Sequence, residues 1–207
     1  MSVSVILITI LVCYFLGNHN GAICVSHMLH DDVRDHGSGN AGLTNFIRNY
    51  GNSRALLVIL IDVFKAVLAC WLGAVLFAPH GYALEGKVLA GVAVMIGHDF
   101  PALLGFRGGK GILSGWFIAW MIDWRVGLLI AIVFFGIYFM THLVSLGSVM
   151  AAATFAASFL VLHWGNPYVV AGGVFMGALT IFQHRANIVR LVKKQEKKVD
   201  LFNLGKK

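Results

Sequence analysis

The sequence predicts an all-α integral membrane protein with seven transmembrane helices, its N-terminus outside and its C-terminus cytoplasmic. Three observations carry that prediction. Of its 207 residues 58% are hydrophobic and only 12% charged, against roughly 25% charged and 45–50% apolar in soluble domains. The apolar residues gather into runs near the length that crosses a bilayer. The basic residues are sorted between alternate loops, as the retention of Lys and Arg on the cytoplasmic side requires. An ordinary water-soluble domain is excluded, because a chain with a mean hydropathy of +0.80 has too little polar surface to cover itself. The 24 Gly and 15 Phe fit the membrane class, small residues letting helices approach and large ones facing lipid. Cys13, Cys24 and Cys70 lie in or beside apolar runs without CxxC spacing, so neither a disulfide framework nor a zinc site is expected.

In chain order, the first apolar run, 2–25, has no basic residue before it, and its first charge is Asp31. It enters Gly17-Asn18-His19-Asn20 without a small-residue cleavage site, which argues for a retained span over a removable signal. Residues 26–54 are the longest polar interruption. Further runs follow at 55–78, 88–105, 112–123, 126–143, 146–164 and 167–183. The run at 112–123 is short for a span of about 20 residues, and 88–105 contains His98, Asp99 and Pro101, so a six-span alternative makes one of these re-entrant. No repeat or heptad divides the chain. Residues 1–192 read as one membrane-embedded domain and 193–207 as a basic cytoplasmic tail.

With seven spans, one side receives 13 of the 16 basic residues: Arg34, Arg48 and Arg54, then Arg107 and Lys110, then all those from Arg185 onward. The other side has Lys87 and Arg125, with Lys65 inside a span. The tail is read as a topogenic segment that meets anionic lipid, not as a nucleic-acid site.

Three polar clusters fall on the basic side. In 105–111, Gly108, Gly109 and Gly111 leave backbone amides unshielded, Lys110 supplies a charge and a helix begins directly afterwards, which makes a phosphate cradle. It lacks Walker A spacing, and the same residues also suit a plain turn. In 37–48, Gly37, Gly39 and Gly42 permit close approach. Ser38, Asn40, Thr44 and Asn45 offer neutral hydrogen-bonding groups, and Arg48 a two-pronged donor. If a helix starts near Ala41, Thr44 and Arg48 share a face; a capped loop entering a helix is the simpler reading. In 184–191, His184, Asn187 and Leu191 lie along one helix side with Arg190 beside them, either as a binding edge or as an interfacial collar.

In order and separation, Gly-Ser-Gly-Asn-x-Gly-x-Thr-Asn-x-x-Arg at 37–48, Gly-His-x-x-Pro-x-x-x-Gly-Phe-Arg-Gly-Gly-Lys-Gly at 97–111 and His-Arg-x-Asn-Ile-x-Arg-Leu at 184–191 resemble the PlsY family of acyl-phosphate:glycerol-3-phosphate acyltransferases. Asp32-Val33-Arg34, Asp62, Lys65 and Val144-Ser145-Leu146-Gly147-Ser148 agree as well, so the resemblance covers nearly the whole chain. It implies a seven-helix enzyme of the bacterial inner membrane with its site toward the cytoplasm. The implied reaction moves a fatty acyl group from acyl phosphate to the 1-hydroxyl of sn-glycerol 3-phosphate, giving lysophosphatidic acid and phosphate, without cofactor or metal. Direct, substrate-assisted transfer is implied, since an acyl phosphate is already activated and needs mainly alignment.

Carried over residue by residue, the resemblance makes Ser38, Asn40, Lys110 and His184 catalytic. It makes Gly37, Gly39, Thr44, Asn45, Arg48, His98, Arg107, Gly108, Gly109, Gly111, Ser148, Asn187 and Arg190 substrate-binding. Its implied partners are the two substrates, the bilayer and a peripheral acyl-phosphate-producing enzyme of the PlsX type, with no nucleic acid. The chain departs from the family pattern at 17–20, at Arg107 for Lys, at Ala186 for an acid and at Lys194 for Gly. Two rivals come from other classes. A His-x4-Asp acyltransferase pattern occurs as His27 with Asp32 and His30 with Asp35, and a transporter of an anionic metabolite would use Asp62, Lys65, His98 and Asp99 within spans.

Overall fold

The computed structural model describes residues 2–199. Within them the chain is helical, with no strand: α1 (Val3–Asn18), α2 (Gly21–Met28), α3 (Leu43–Tyr50), α4 (Ala55–Phe77), α5 (Ala83–Asp99), α6 (Ile112–Ile122), α7 (Trp124–Thr141), α8 (Val144–Leu162), α9 (Pro167–Gln183) and α10 (Arg185–Val192), with short 3-10 turns between some of them.

By length and composition four helices can cross a bilayer, namely those at Ala55–His80, Ala83–Leu104, Trp124–Thr141 and Val144–Leu162, and five if α1 and α2 count as one bent span. The first expected span is in fact these two helices, bent by 44°. Asn20 causes the break: its side chain caps α2 by accepting from the Ile23 amide, which stops α1 from continuing. The segment 17–20, polar in sequence, is therefore an interior hinge, with Asn20 wholly buried. Helix α5 starts earlier than the apolar run that announced it. The polar residues that ended the run are tied to neighbouring helices, Glu85 accepting from Asn166 Nδ2 at 2.7 Å and Lys87 donating to the Met121 carbonyl at 2.8 Å. Helix α6, with 11 residues, is about 16 Å long at 1.5 Å per residue, half a bilayer core.

Glycines set the helix crossings. A Cβ on Gly73 of α4 would lie 2.1 Å from the Gly86 carbonyl of α5, and one on Gly97 of α5 would lie 2.0 Å from the Tyr14 carbonyl of α1. Backbones touch at both places, as small-residue packing in lipid allows. A main core forms around Cys70, Val94, Met95, Ile118, Phe159 and Met176, and a smaller one of Ile23, Val33, Phe46 and Val58 lies under α2 and α3. Leu7, Leu11, Leu60, Phe64, Trp71 and Ile132 point outward, giving the apolar periphery an integral membrane protein presents to lipid.

The stretch read as a tail does not leave the body at residue 193. After α10 the chain reverses at Lys194, with φ +54°. The Gln195 amide donates to the Arg190 carbonyl and the Val199 amide to the His142 carbonyl, so residues 195–199 form a strap over the end of the bundle. Residues 200–207 lie outside the described residues.

Candidate functional site

The three polar clusters meet at one end of the bundle around a cavity of about 730 Å³. Its polar mouth is lined by Ser38, Asn40, Thr44, Arg48, Lys110 and His184, with Ser148, Asn187 and Arg190 beside them. Inward it becomes apolar, passing Trp116, Phe134, Phe135, Phe155 and Met176 between α6, α7, α8 and α9. Gly37, Asn45, His98 and Gly111 also line it, whereas Gly39, Arg107, Gly108 and Gly109 do not.

The 33–40 loop is held by two devices. Asp32 takes both Nε and Nη2 of Arg34, at 2.9 and 2.6 Å, and Arg34 Nη1 donates to the Leu104 carbonyl at 2.6 Å, joining this loop to the 105–111 loop. The Arg34 guanidinium keeps the Asp32 carboxyl far below the usual range. Buried Asn45 supplies the second device. Its Oδ1 accepts from the Ser38 amide at 3.0 Å, and its Nδ2 donates to the Val33 and His36 carbonyls at 3.0 Å each. Sequence reading placed Asn45 on substrate, but its amide is spent on the loop; a group so engaged positions Ser38 instead. Gly37, at φ +59°, completes the turn, and a Cβ there would strike Asn45 Oδ1 at 2.4 Å. Helix α3 begins at Leu43, two residues later than the expected start, and still carries Thr44 and Arg48 to the cavity.

The 105–111 loop corrects the expected cradle. The Gly108 amide donates to the Asp99 carbonyl at 3.2 Å and the Gly109 amide to the His98 carbonyl at 3.1 Å. Neither is open to a phosphate. The glycines serve close packing, since a Cβ on Gly108 would lie 2.0 Å from the His98 carbonyl and one on Gly109 2.2 Å from His98 Nε2. Arg107 is exposed, and its carbonyl accepts from Arg34 at 3.3 Å. What this loop delivers is Lys110, followed by Gly111 at φ +71° as the cap of α6.

Lys110 Nζ donates to Asn187 Oδ1, Asn187 Nδ2 donates to Glu196 Oε1 at 2.8 Å, and Arg190 Nε donates to Glu196 Oε2 at 2.6 Å. Burial, helped by the neighbouring Arg190, lowers the Lys110 ammonium to about 8, with Glu196 working the other way. His184 Nδ1 lies 2.8 Å from the Thr180 carbonyl. A carbonyl only accepts, so Nδ1 carries the hydrogen and Nε2 is left as an acceptor. Burial first, and Lys110 after it, lower His184 to about 4, so the ring is neutral near pH 7. Ser148 Oγ donates to the Val144 carbonyl at 2.9 Å within its own helix.

Two contributors escaped sequence reading. Glu196 lay in a stretch read only as basic, although an acid five residues after Leu191, following a His-x-x-Asn-x-x-Arg helix, was a usable signal. Asn20, in a segment that departs from the family pattern, donates to the Ala41 carbonyl at 3.0 Å and so ties the hinge to the first cluster. The rival His-x4-Asp pattern is present at the surface only. His27 Nε2 is 3.4 Å from an Asp32 carboxylate already engaged by Arg34, in a shallow depression apart from the cavity. Among the described residues no group of three or more His, Cys, Asp or Glu side chains could hold a metal.

The family model described as glycerol-3-phosphate acyltransferase matches residues 7–194. A glycerol-3-phosphate acyltransferase of Finegoldia magna is 36% identical over 190 residues, covering 91% of this chain and 93% of the relative. Another from Deinococcus radiodurans is 36% identical over 194 residues, covering 93% and 95%. Among solved structures, PlsY, an integral membrane glycerol 3-phosphate acyltransferase, superposes in its glycerol 3-phosphate form with a TM-score of 0.84 at 28% identity, covering 94% of this chain and 96% of that one. Its lysophosphatidic acid form superposes with a TM-score of 0.80 at 27% identity, covering 96% and 97%. With a family model over nearly its whole length, and relatives and structures matched end to end, the chain belongs to the glycerol-3-phosphate acyltransferase family of PlsY.

Proposed function

We propose that this protein transfers a fatty acyl group from acyl phosphate to the 1-hydroxyl of sn-glycerol 3-phosphate, releasing lysophosphatidic acid and phosphate. The observation that carries this is the continuity of one cavity from a cationic mouth to an apolar interior. Such a cavity suits a phosphorylated head joined to an alkyl chain, and the PlsY forms with glycerol 3-phosphate and lysophosphatidic acid support the same pairing. Lys110, Arg48 and Arg190 offset the phosphate charge, and desolvation at the site strengthens their attraction. His184, with Nε2 as acceptor, orients the attacking hydroxyl. Asn187 and Ser148 flank the acceptor, and Ser38 and Asn40 lie near the reacting carbonyl. Glu196, itself on the cavity wall, orders Asn187 and Arg190. A substrate phosphate oxygen takes the hydroxyl proton, so no acyl-enzyme forms.

The reading extends to the frame around the site. Residues 1–192 with the strap to 199 act as one domain in the bacterial inner membrane, crossing it seven times when the bent α1–α2 pair and the shorter α6 and α9 are counted with the four long helices, with the N-terminus outside and the site toward the cytoplasm. The loop asymmetry supports this orientation. A peripheral PlsX-type enzyme supplies the acyl phosphate. A transporter reading has less support, since Asp62, Lys65 and His98 are bonded to one another in one compact buried cluster and are not strung out as successive sites along a path.

The deciding experiment uses purified protein in lipid with palmitoyl phosphate and glycerol 3-phosphate. Phosphate and lysophosphatidate should appear together and only when both substrates are present. Turnover of palmitoyl-CoA in place of palmitoyl phosphate overturns the donor assignment. Radiolabelled acyl phosphate without acceptor should leave no label on the protein, in wild type and in Ser38→Ala alike; an adduct mapped to Ser38 replaces direct transfer with covalent catalysis. For topology, a cysteine at His80 should react with an impermeant reagent outside intact cells and one at Lys193 should not.

The pH profile of kcat/KM should be limited by two groups that both titrate below their ordinary values, one on each side of neutrality. Lys110 loses its charge as pH rises through about 8, so activity falls on the alkaline side. His184 gains charge and loses its acceptor as pH falls through about 4, so activity falls on the acid side. Lys110→Arg keeps the cation at every accessible pH and should move the alkaline limb upward. An unmoved limb assigns it to another group.

A further inference from the structure

Beneath the 105–111 loop lies a buried polar cluster to which the proposed glycerol 3-phosphate contacts assign no part. Asp62 Oδ1 of α4 accepts from Lys65 Nζ at 2.7 Å and from the Gly21 amide at 3.0 Å. Lys65 Nζ donates to the His19 carbonyl at 3.0 Å and lies 2.7 Å from His98 Nδ1. Asn20 Nδ2 is 3.5 Å from the same ring nitrogen. Asp62, Lys65 and His98 are each less than 5% exposed. Ionic groups so buried are costly, and this cluster is fully satisfied on one side of the His98 ring only.

The direction of those bonds fixes the ring's chemistry. An ammonium ion-paired with Asp62 has only hydrogens to offer, and so has the Asn20 amide nitrogen; Asp62 Oδ1, the acceptor nearby, is 3.7 Å from Nδ1 and beyond hydrogen-bond reach, so Nδ1 accepts. The single ring hydrogen is then on Nε2. That atom faces Gly109, where a Cβ would lie 2.2 Å away. Among the described residues no hydrogen-bond partner of Nε2 is found, and His98 lines the cavity. The neighbouring Gly108 and Gly109 amides, closed off by the Asp99 and His98 carbonyls, cannot serve as anion donors there. With those two amides engaged, the His98 ring is the donor nearest them that remains unspent.

We propose that Lys65 is a positioning residue that locks His98 as the Nε2–H tautomer, and that His98 Nε2–H donates a hydrogen bond to an oxygen of the bound acyl phosphate. The proposal rests on the acyl-phosphate reading and deepens it. The glycine at 109 gives the ring room, Lys65 sets which nitrogen bears hydrogen, and Asp62 holds Lys65 in place. A neutral donor there adds no charge to a mouth that already holds three cations, and it stands where the Gly108 and Gly109 amides are spent.

The test uses the full chain in lipid. Nitrogen-15 NMR of ring-labelled enzyme without substrate should show hydrogen on Nε2 and none on Nδ1 in wild type, and a mixture of tautomers in Lys65→Met. Packing alone does not fix that signature. His98→Gln puts an amide nitrogen near the place of Nε2 and should keep kcat/KM for acyl phosphate within about 10-fold, whereas His98→Asn, whose nitrogen falls near Nδ1, should lose about 100-fold. An Nδ1–H ring in wild type, or Gln and Asn variants equally active, overturns the proposal. Should Lys65→Met fail to fold, the wild-type spectrum and the two His98 variants still decide it. Absence of acyl-phosphate turnover in wild type overturns the functional reading and the named ligand with it, an outcome visible without any variant.

Discussion

Lys110→Ala should lower kcat/KM by about 100- to 1000-fold, the roughly 2.7–4 kcal/mol a preorganised donor contributes to a developing anion. Lys193→Ala, which removes an exposed cation just past α10, should leave it unchanged. The contrast follows from surroundings, not charge. Lys110 is drawn into the cavity wall, bonded to Asn187 and flanked by Arg190, so its field acts on substrate with little solvent between them. Lys193 acts through water and is screened. Steady-state kinetics of both variants, with a melting curve to show that each is folded, check the prediction; equal activities remove Lys110 from the site.

Gly109→Ala should abolish most activity and destabilise the fold by about 3 kcal/mol, near the upper range for overpacking. The added methyl would lie 2.2 Å from His98 Nε2 and 2.9 Å from the Ala41 carbonyl, and neither neighbour can retreat. Lys65 and Asn20 hold the ring, and Asn20 holds the Ala41 carbonyl as well. The loop must therefore shift and carry Lys110 with it. Gly136→Ala is the matched control, on an outer face of α7 with nothing within 4 Å of the new methyl; it should be neutral or slightly stabilising, by up to about 1 kcal/mol. Thermal unfolding in detergent and the coupled acylation assay distinguish them. A Gly109→Ala enzyme as stable and active as wild type contradicts the packing described for this loop.

Membrane character, the order of the helices and the three clusters were legible from sequence because each is a local property. Hydropathy accumulates over a single window, and a motif is a short run of side chains. The same locality explains what was misread. Residues 2–25 form one apolar run, yet Asn20 breaks them into two helices by capping α2; a single polar residue hardly alters a window average. Gly108 and Gly109 read as open amides because their accepting carbonyls, Asp99 and His98, belong to the preceding helix end, and no spacing rule shows which way those carbonyls face.

The sequence by itself determined that this chain is a helical membrane protein of the glycerol-3-phosphate acyltransferase family, because composition and motif survive without coordinates. Only the tertiary structure decided which polar groups remain available for chemistry. Asn45 and the Gly108 and Gly109 amides are engaged within the loops, whereas Lys110, His184 and His98 come together from distant segments to line one cavity. Glu196 enters that site because the chain reverses after α10 and the Val199 amide fastens to the His142 carbonyl. The physical reason is that a buried polar group must find a partner, and its partner is set by what lies beside it in space, across separations that a reading along the chain does not span.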